Sequence, residues 1–465
     1  MTAFLIIGIL FLIGIIVVQI GKVTELASRI RGFEVVEQKS TQKQAFWLMV
    51  FMVVFLILCI ASAAYYRNQM LGYGPLQPAS QHGGQIDNLF NMTLFFTGIV
   101  FVLTHIALFW FTYKYRRQEG RMSTFFSHDN RLEAIWTIVP AVVMVILVTK
   151  GLVVWNDVMP DVGPDEEYME VEATGYQFAW DLRYPGNDGK IGTKNFRLID
   201  PGSNPLGQDW SDEKNIDDFM ATELVLPVGQ QIRVRITSKD VLHNFYLPHF
   251  RVKMDAIPGL PTYFIFTPTI TTEEYRENLS TYPEWQTPYD PEDPEGPKRW
   301  EAFNFELACA ELCGKGHWSM KKVVKIVTPE EFEQWASEQP SYYKSNIRGT
   351  EDDPFGRLVG YEIEARAEEL TAEIEEALIM DDPSTKSIAL TNVFFETGSA
   401  ELDEDSKFEL DNIVGIMTDY DDIRIQISGH TDNTGDAAAN QTLSEARAAA
   451  VTTYLSAGLI QNRPH

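Results

Sequence analysis

The sequence predicts transmembrane α-helices, then an all-β sandwich or barrel, then a small α/β domain. Three observations predict it: long uncharged apolar runs early in the chain, strands of period two after them, and alternating strand and helix patterns from about Lys386. The 465 residues leave room for several domains, and the formal net charge is −27. That balance excludes nucleic acid as a natural partner, because phosphates need a basic patch. It suits a basic protein partner steered by opposite charge.

The apolar runs come first. Residues 2–20, 46–66, 92–113 and 134–149 carry no charged side chain. Each is about the length that crosses a bilayer core, roughly 20 residues. The first lacks a charged start and a small-residue cleavage site, so it reads as a retained helix rather than a signal peptide. Lys22, Arg29, Arg31, Lys39 and Lys43 follow it, and Lys114, Arg116, Arg117, Arg121 and Arg131 lie between the third and fourth runs. Basic loops stay in the cytoplasm, so everything after Trp155 is exported. Residues 1–66 thus read as two extra transmembrane helices with a cytoplasmic basic loop, and 90–157 as a helical hairpin.

Strand patterns fill 158–328. "MEVEAT" and "IRVRIT" alternate apolar and polar residues, as half-buried strands do. "TYFIFTPT", "FNFELA" and "VVKIVT" add more, and short strands between Gly and Pro suggest a sandwich or barrel. Two polar insertions interrupt them, at about 187–218 and about 275–299; the second, rich in Pro and acid, reads as a surface loop. Residues 329–385 read as an acidic helical linker, "TPEEFEQWASEQ" being a good helix start. Residues 386–465 read strand, helix, strand, loop, helix.

The chemistry sits in "ACAELCGKGHWSMKK", residues 308–322. Three cysteines make no disulfide framework, although a bridge between Cys309 and Cys313 is possible in an oxidising compartment. Such a bridge leaves Glu311, His317 and Met320 unexplained. Methionine is a poor zinc ligand, whereas thiolate, imidazole and thioether together suit copper. Two close thiolates can bridge two metal ions, and each ion then wants its own imidazole. His243, directly after a strand, is the candidate for the second; His249 is its competitor.

"DVLHNF…VKMDAIPG" followed by "CAELCGKGHWSM" resembles subunit II of the haem–copper cytochrome c oxidases, at its copper A site. The resemblance spans about 90–340 and implies a cupredoxin-type sandwich on a two-helix hairpin. It implies dinuclear copper bridged by Cys309 and Cys313, with His243 and Met320 completing one copper, and His317 and the Glu311 carbonyl the other. It further implies a magnesium ion shared with subunit I at Glu311, with Asp255 in the same polar interface. Glu133 would mark the mouth of the proton path into subunit I; read from its residues alone it is a helix-start acid favoured by the dipole. "GYQFAWDLRYPG" resembles the segment where cytochrome c delivers its electron, with Phe178 where the family usually has Trp, and Trp180 as a second aromatic.

"ISGHTDNTGDAAANQTLSEARAAAVTTYL" resembles the outer-membrane-protein-A-like peptidoglycan-binding domain. Asp432 and Arg447 would then clasp the charged ends of diaminopimelate, in a module that the resemblance makes short of its last strand and helix. Together the resemblances imply an oxidase subunit of the bacterial inner membrane, multi-pass, with its copper and C-terminal domains in the periplasm. Its partners would be subunits I and III, cytochrome c or a cytochrome c domain of a neighbouring complex, and peptidoglycan. Oxygen reduction and proton pumping would then involve another subunit, so no catalytic residue is expected in this chain. Three rivals stand beside this reading. A quinol oxidase subunit lacks the copper ligands; a copper A subunit of a nitric oxide reductase shares them; a wall-tethering protein with a non-redox sandwich predicts no copper.

Overall fold

The computed structural model describes residues 2–67, 77–118, 120–125, 127–164, 166–380, 386–420, 423–431 and 434–461. Helices α1 (Thr2–Arg31), α2 (Phe33–Tyr66), α3 (Gly83–Lys114) and α4 (Asn130–Val158) come first. Among the described residues three stretches are long and apolar enough to cross a membrane: Val35–Tyr66, Gly83–Lys114 and Asn130–Val158. The expected run 2–20 lies in α1, and the side chains of residues 1–10 fall outside the described set. α2 runs beside α3, with Phe51 against Phe109 and Phe55 against Phe101. Glu37 and Arg117 pair at 2.7 Å, which puts both basic loops at one end of the bundle, as the charge pattern requires.

Among the described residues ten strands make two five-stranded sheets. The first holds, in spatial order, β3 (Phe219–Ala221), β2 (Ala179–Tyr184), β1 (Met169–Tyr176), β5 (Ile232–Ser238) and β8 (Thr262–Phe266). The second holds β4 (Leu224–Pro227), β10 (Lys321–Val327), β9 (Phe305–Cys309), β6 (His243–Leu247) and β7 (Val252–Ala256). Their inner faces bury Val171, Ala173, Leu182, Val234, Phe245, Leu247 and Phe305, as period-two patterning demands.

The second insertion is not wholly a surface loop. α5 (Thr272–Ser280) leads into it and seats Tyr275 and Leu279 in the core. A capping box starts the helix: Thr271 accepts from Glu274 N, and the Glu274 carboxylate accepts from Thr271 N. Further on, Trp285 is also buried.

The expected linker divides between its neighbours. α6 (Pro329–Ser337) presses Phe332 and Trp335 on the sandwich, beside Tyr184. After α7 (Tyr342–Asn346) comes α8 (Tyr361–Leu378), which joins the C-terminal unit. Its Leu370 shares a core with Leu410, Ile413 and Val414 of α9 (Lys407–Asp419), and with Val451 and Leu455 of α10 (Ala437–Gln461). Arg366 of α8 also pairs with buried Glu409 at 3.1 Å. The two strands expected in this unit form no ladder among the described residues, apart from a bridge between Phe395 and Leu402. Truncating Leu370 to Ala should therefore destabilise the C-terminal unit by about 2–5 kcal/mol, as for other core leucines. Limited proteolysis should then cut that unit faster while sparing the sandwich; unchanged protection of 386–461 would return α8 to linker status.

Candidate metal centre

Strand register builds the site. β6 lies between β7 and β9, with His243 opposite Ala256 and Phe245 opposite Cys309. The first residue of β6 and the last of β9 therefore meet at one corner of the second sheet. The loop after Cys309 folds back, and Cys309 N donates to Met320 O at 3.2 Å before β10 begins. Gly314, at φ 132, takes a backbone that a side chain rarely adopts.

The two sulfurs stand 4.0 Å apart. That is far beyond a disulfide, at about 2.05 Å. It is close enough for both to reach one ion at metal–sulfur bonds of about 2.3 Å. His243 Nδ1 lies 3.8 Å from Cys309 Sγ, and His317 Nδ1 3.5 Å from Cys313 Sγ. Met320, wholly buried, brings its sulfur to 3.9 Å from Cys313 Sγ. The Glu311 carbonyl is 3.2 Å from Cys309 Sγ. Donor atoms of His243, Cys309 and Cys313 all lie within 4.8 Å of one another, the spread of ligands around an ion.

Electrostatics agrees. Burial, and then the neighbouring Cys309, push the Cys313 thiol up to about 11. Two ionised sulfurs side by side in an apolar corner need a cation to hold them. The soft sulfurs, imidazoles and thioether suit copper better than magnesium or calcium.

An outer layer fixes the ligands. His243 Nε2 is 2.9 Å from Asp240 Oδ1, which leaves Nδ1 facing the sulfurs. Asp240 Oδ2 accepts from Gln177 N at 2.8 Å, and the Gln177 amide donates to Cys313 O at 2.6 Å. Burial works against the Asp240 charge, but His243 and the backbone donors win and hold it below the usual carboxylate range. Gly175 leaves room for the imidazole: a Cβ there would sit 3.1 Å from His243 Cδ2. Trp180 meets the same ring edge-on. Such outer partners typically matter about 10–100-fold for metal affinity. Asp240→Ala is expected to weaken copper retention within that range, read by metal content against chelator concentration; wild-type retention would remove Asp240 from the site.

The other expected residues fall as follows. Phe178 is half-buried against the cysteine loop, where a Cβ on Gly316 would come within 2.5 Å of its ring. Trp180 is fully buried, so only Phe178 of the two aromatics reaches the surface. His249 is no ligand: its ring lies edge-on to Tyr275, Phe303 and Phe305. The Glu311 side chain is exposed, and exposed Asp255 accepts from Asn244 at 2.6 Å, next to His243. Glu133 lies in the first turn of α4, exposed. Arg447 of α10 donates to Ser399 O at 3.0 Å and to Glu396 O at 3.3 Å, over the Phe395 ring. Asp432 lies outside the described residues. Asp240 and Gln177 escaped the sequence reading; an acid three residues before a candidate histidine was the available signal.

Helices long and apolar enough to cross a membrane, a β-sandwich and a sulfur–imidazole donor set that could hold a metal ion occur together in this chain. The chain is similar to the cytochrome c oxidase subunit II family over its membrane and sandwich regions, and to the OmpA family behind them. The profile "Cytochrome C oxidase subunit II, transmembrane domain" matches residues 69–154, its periplasmic-domain counterpart 169–271, and the OmpA family 394–463. The chain is 29% identical over 296 residues to an alternative cytochrome c oxidase subunit 2 of Bradyrhizobium diazoefficiens, covering 63% of this chain and 93% of that protein. It is 24% identical over 335 residues to a cytochrome c oxidase subunit 2 of Thermostichus vulcanus, covering 67% and 90%. A crystal structure of the periplasmic domain of subunit II from Bradyrhizobium japonicum shares 27% identity over 39% of this chain and 98% of that one, at a TM-score of 0.24. The periplasmic match includes His243 and ends before the cysteine loop, so the ligand set rests on the geometry above.

Proposed function

We propose that this chain is the electron-receiving subunit of a proton-pumping cytochrome c oxidase in a bacterial inner membrane. The observation that carries it is the pair of free thiols 4.0 Å apart, flanked by two imidazoles and a thioether. A dinuclear copper bound there would supply reversible one-electron chemistry. Cys309, Cys313, His243, Met320, His317 and the Glu311 carbonyl would hold it. The sandwich holds these donors on strand ends and a tight loop, so they need move little. Phe178 covers the loop where a cytochrome c or cytochrome c domain would dock, and electrons would leave toward haem in subunit I. Glu311 and Asp255 would face that subunit around a magnesium ion, and Glu133 would open its proton path. Subunit III completes the assembly. In the C-terminal unit Arg447, with Asp432, would take the diaminopimelate of peptidoglycan.

The test is copper content with the near-infrared band of a mixed-valence dicopper centre, measured on the purified complex. About two coppers per chain and that band are expected; copper-replete protein without the band would sink the reading. The rate of electron delivery should also fall with added salt, since screening shortens the reach of this acidic surface to about 10 Å at 0.1 M.

A further inference from the structure

We infer that the ion pair between Asp87 and Arg251 is a positioning clamp that holds the β6–β7 hairpin, which carries His243, and with it the metal corner of the sandwich, at a fixed place over the membrane helices. The inference rests on the electron-relay reading above and adds residues to it.

Arg251 ends the turn between β6 and β7 at φ 58, in the left-handed region. A glycine would take that backbone at no cost, and a long side chain rarely does. Its guanidinium is fully engaged. Nε and Nη2 donate to the two Asp87 oxygens at 2.7 and 2.9 Å. Nη1 donates to Pro248 O at 2.8 Å and His249 O at 3.2 Å. Asp87 stands just past the first turn of α3. The chain leading into that helix is tied to the same turn: Ala79 N donates to His249 O at 2.8 Å, and Ser80 Oγ to Phe250 O at 2.6 Å. Ala79 and Gln81 also bond the edge of the sandwich near β8, through Thr269 N to Ala79 O and Gln81 N to Thr267 O, both at 3.0 Å.

The clamped turn and the metal corner are opposite ends of one hairpin. His243 opens β6 opposite Ala256, and β6 is five residues long, roughly 17 Å at the usual strand rise. Arg251 touches no proposed ligand, so its route to the metal corner is the β6–β7 ladder. Electron transfer between fixed centres falls steeply with distance. β6 is laddered to β9, so the sandwich moves with the hairpin; free to tilt on the membrane helices, it would lengthen the path from copper to the acceptor below it. The path from the donor, which docks from outside, would not change.

Stopped-flow reduction of the purified oxidase complex resolves these two phases. Arg251→Gly removes the clamp while relieving the backbone, and Asp87→Asn keeps the shape but halves the pairing. Both are expected to leave the near-infrared dicopper band and the donor-to-copper phase unchanged. Both should slow the copper-to-haem phase, by up to about 100-fold for an ångström-scale misplacement of a reacting pair. The exchange Asp87→Arg with Arg251→Asp should restore part of the rate. Wild-type speed in both phases for both variants would overturn the clamp and leave the relay reading standing. Loss of the dicopper band in the variants would assign the pair to building the site, and overturn the clamp equally. A wild-type complex without that band would overturn the relay reading and the clamp with it.

Discussion

Cys309→Ser is expected to strip copper from the purified complex and to end cytochrome c-driven oxygen uptake. The sulfur it removes stands between three other donors: Cys313 Sγ at 4.0 Å, His243 Nδ1 at 3.8 Å and the Glu311 carbonyl at 3.2 Å. Serine offers a hard oxygen with a far higher pKa, and copper prefers the soft thiolate. Outer-layer partners of a metal typically cost about 10–100-fold, so loss of a bridging donor should exceed about 100-fold in turnover. The fold should survive, since the replacement is smaller and the residue sits at the end of β9 rather than in its middle. Copper per chain and oxygen uptake are the readouts. A variant that keeps its copper and works within about tenfold of wild type would show that Cys309 is structural.

The metal corner was legible because most of it is local. Cys309, Glu311, Cys313, His317 and Met320 lie within one loop, so spacing alone brings them together. The sixth member, His243, needed a strand pairing that no spacing shows: Phe245 of β6 opposite Cys309 of β9. The choice of His243 over His249 could not be proved from sequence for the same reason. The aromatic box that claims His249 is built from Tyr275, Phe303 and Phe305, all distant along the chain. Trp180 looked like a surface aromatic, yet strand alternation points it inward onto Phe245. The acid-rich face of α8 suggested a solvated linker, because charge dominates its composition. Its attachment is decided by two side chains, Leu370 and Arg366, whose partners lie some 40 residues on. The capping box at Thr271 was readable, but the Pro-rich stretch after it hid a short helix. Hydropathy alone marked three helices long and apolar enough to cross a membrane, since a bilayer core demands about 20 apolar residues in a row.

The insertion at 187–218 reads as polar loop, and its anchor makes the second large prediction. Arg183 of β2 is almost fully buried. It donates to Glu172 at 2.9 Å, Asn215 at 2.9 Å, Asp218 at 3.1 Å and Gly192 O at 2.9 Å. Lys194 adds a second cation, 2.8 Å from Glu172. Removing one partner of a buried pair strands the other, at a cost of about 3–5 kcal/mol. Arg183→Ala should therefore lower the unfolding midpoint of the exported part by roughly 10 °C. The carboxyls do not share the charge equally. Burial works against the Glu172 charge, but Arg183 and Lys194 hold its pKa below the usual range. At Asp218 burial outweighs Arg183 and pushes the pKa up to about 8, with Asp217 and Asp188 adding repulsion. Asp218 is then protonated when folded and ionised when unfolded between about pH 4 and about pH 8. The folded state binds the extra proton, so stability falls as pH rises through that window. Asp218→Asn keeps the shape and carries no proton to lose. At pH 8 it should unfold no earlier than wild type, and its advantage should shrink toward pH 5. If Asp218→Asn instead collapses at pH 8 as far as Arg183→Ala does, Asp218 is the ionised partner of Arg183, and the charge sits on both acids.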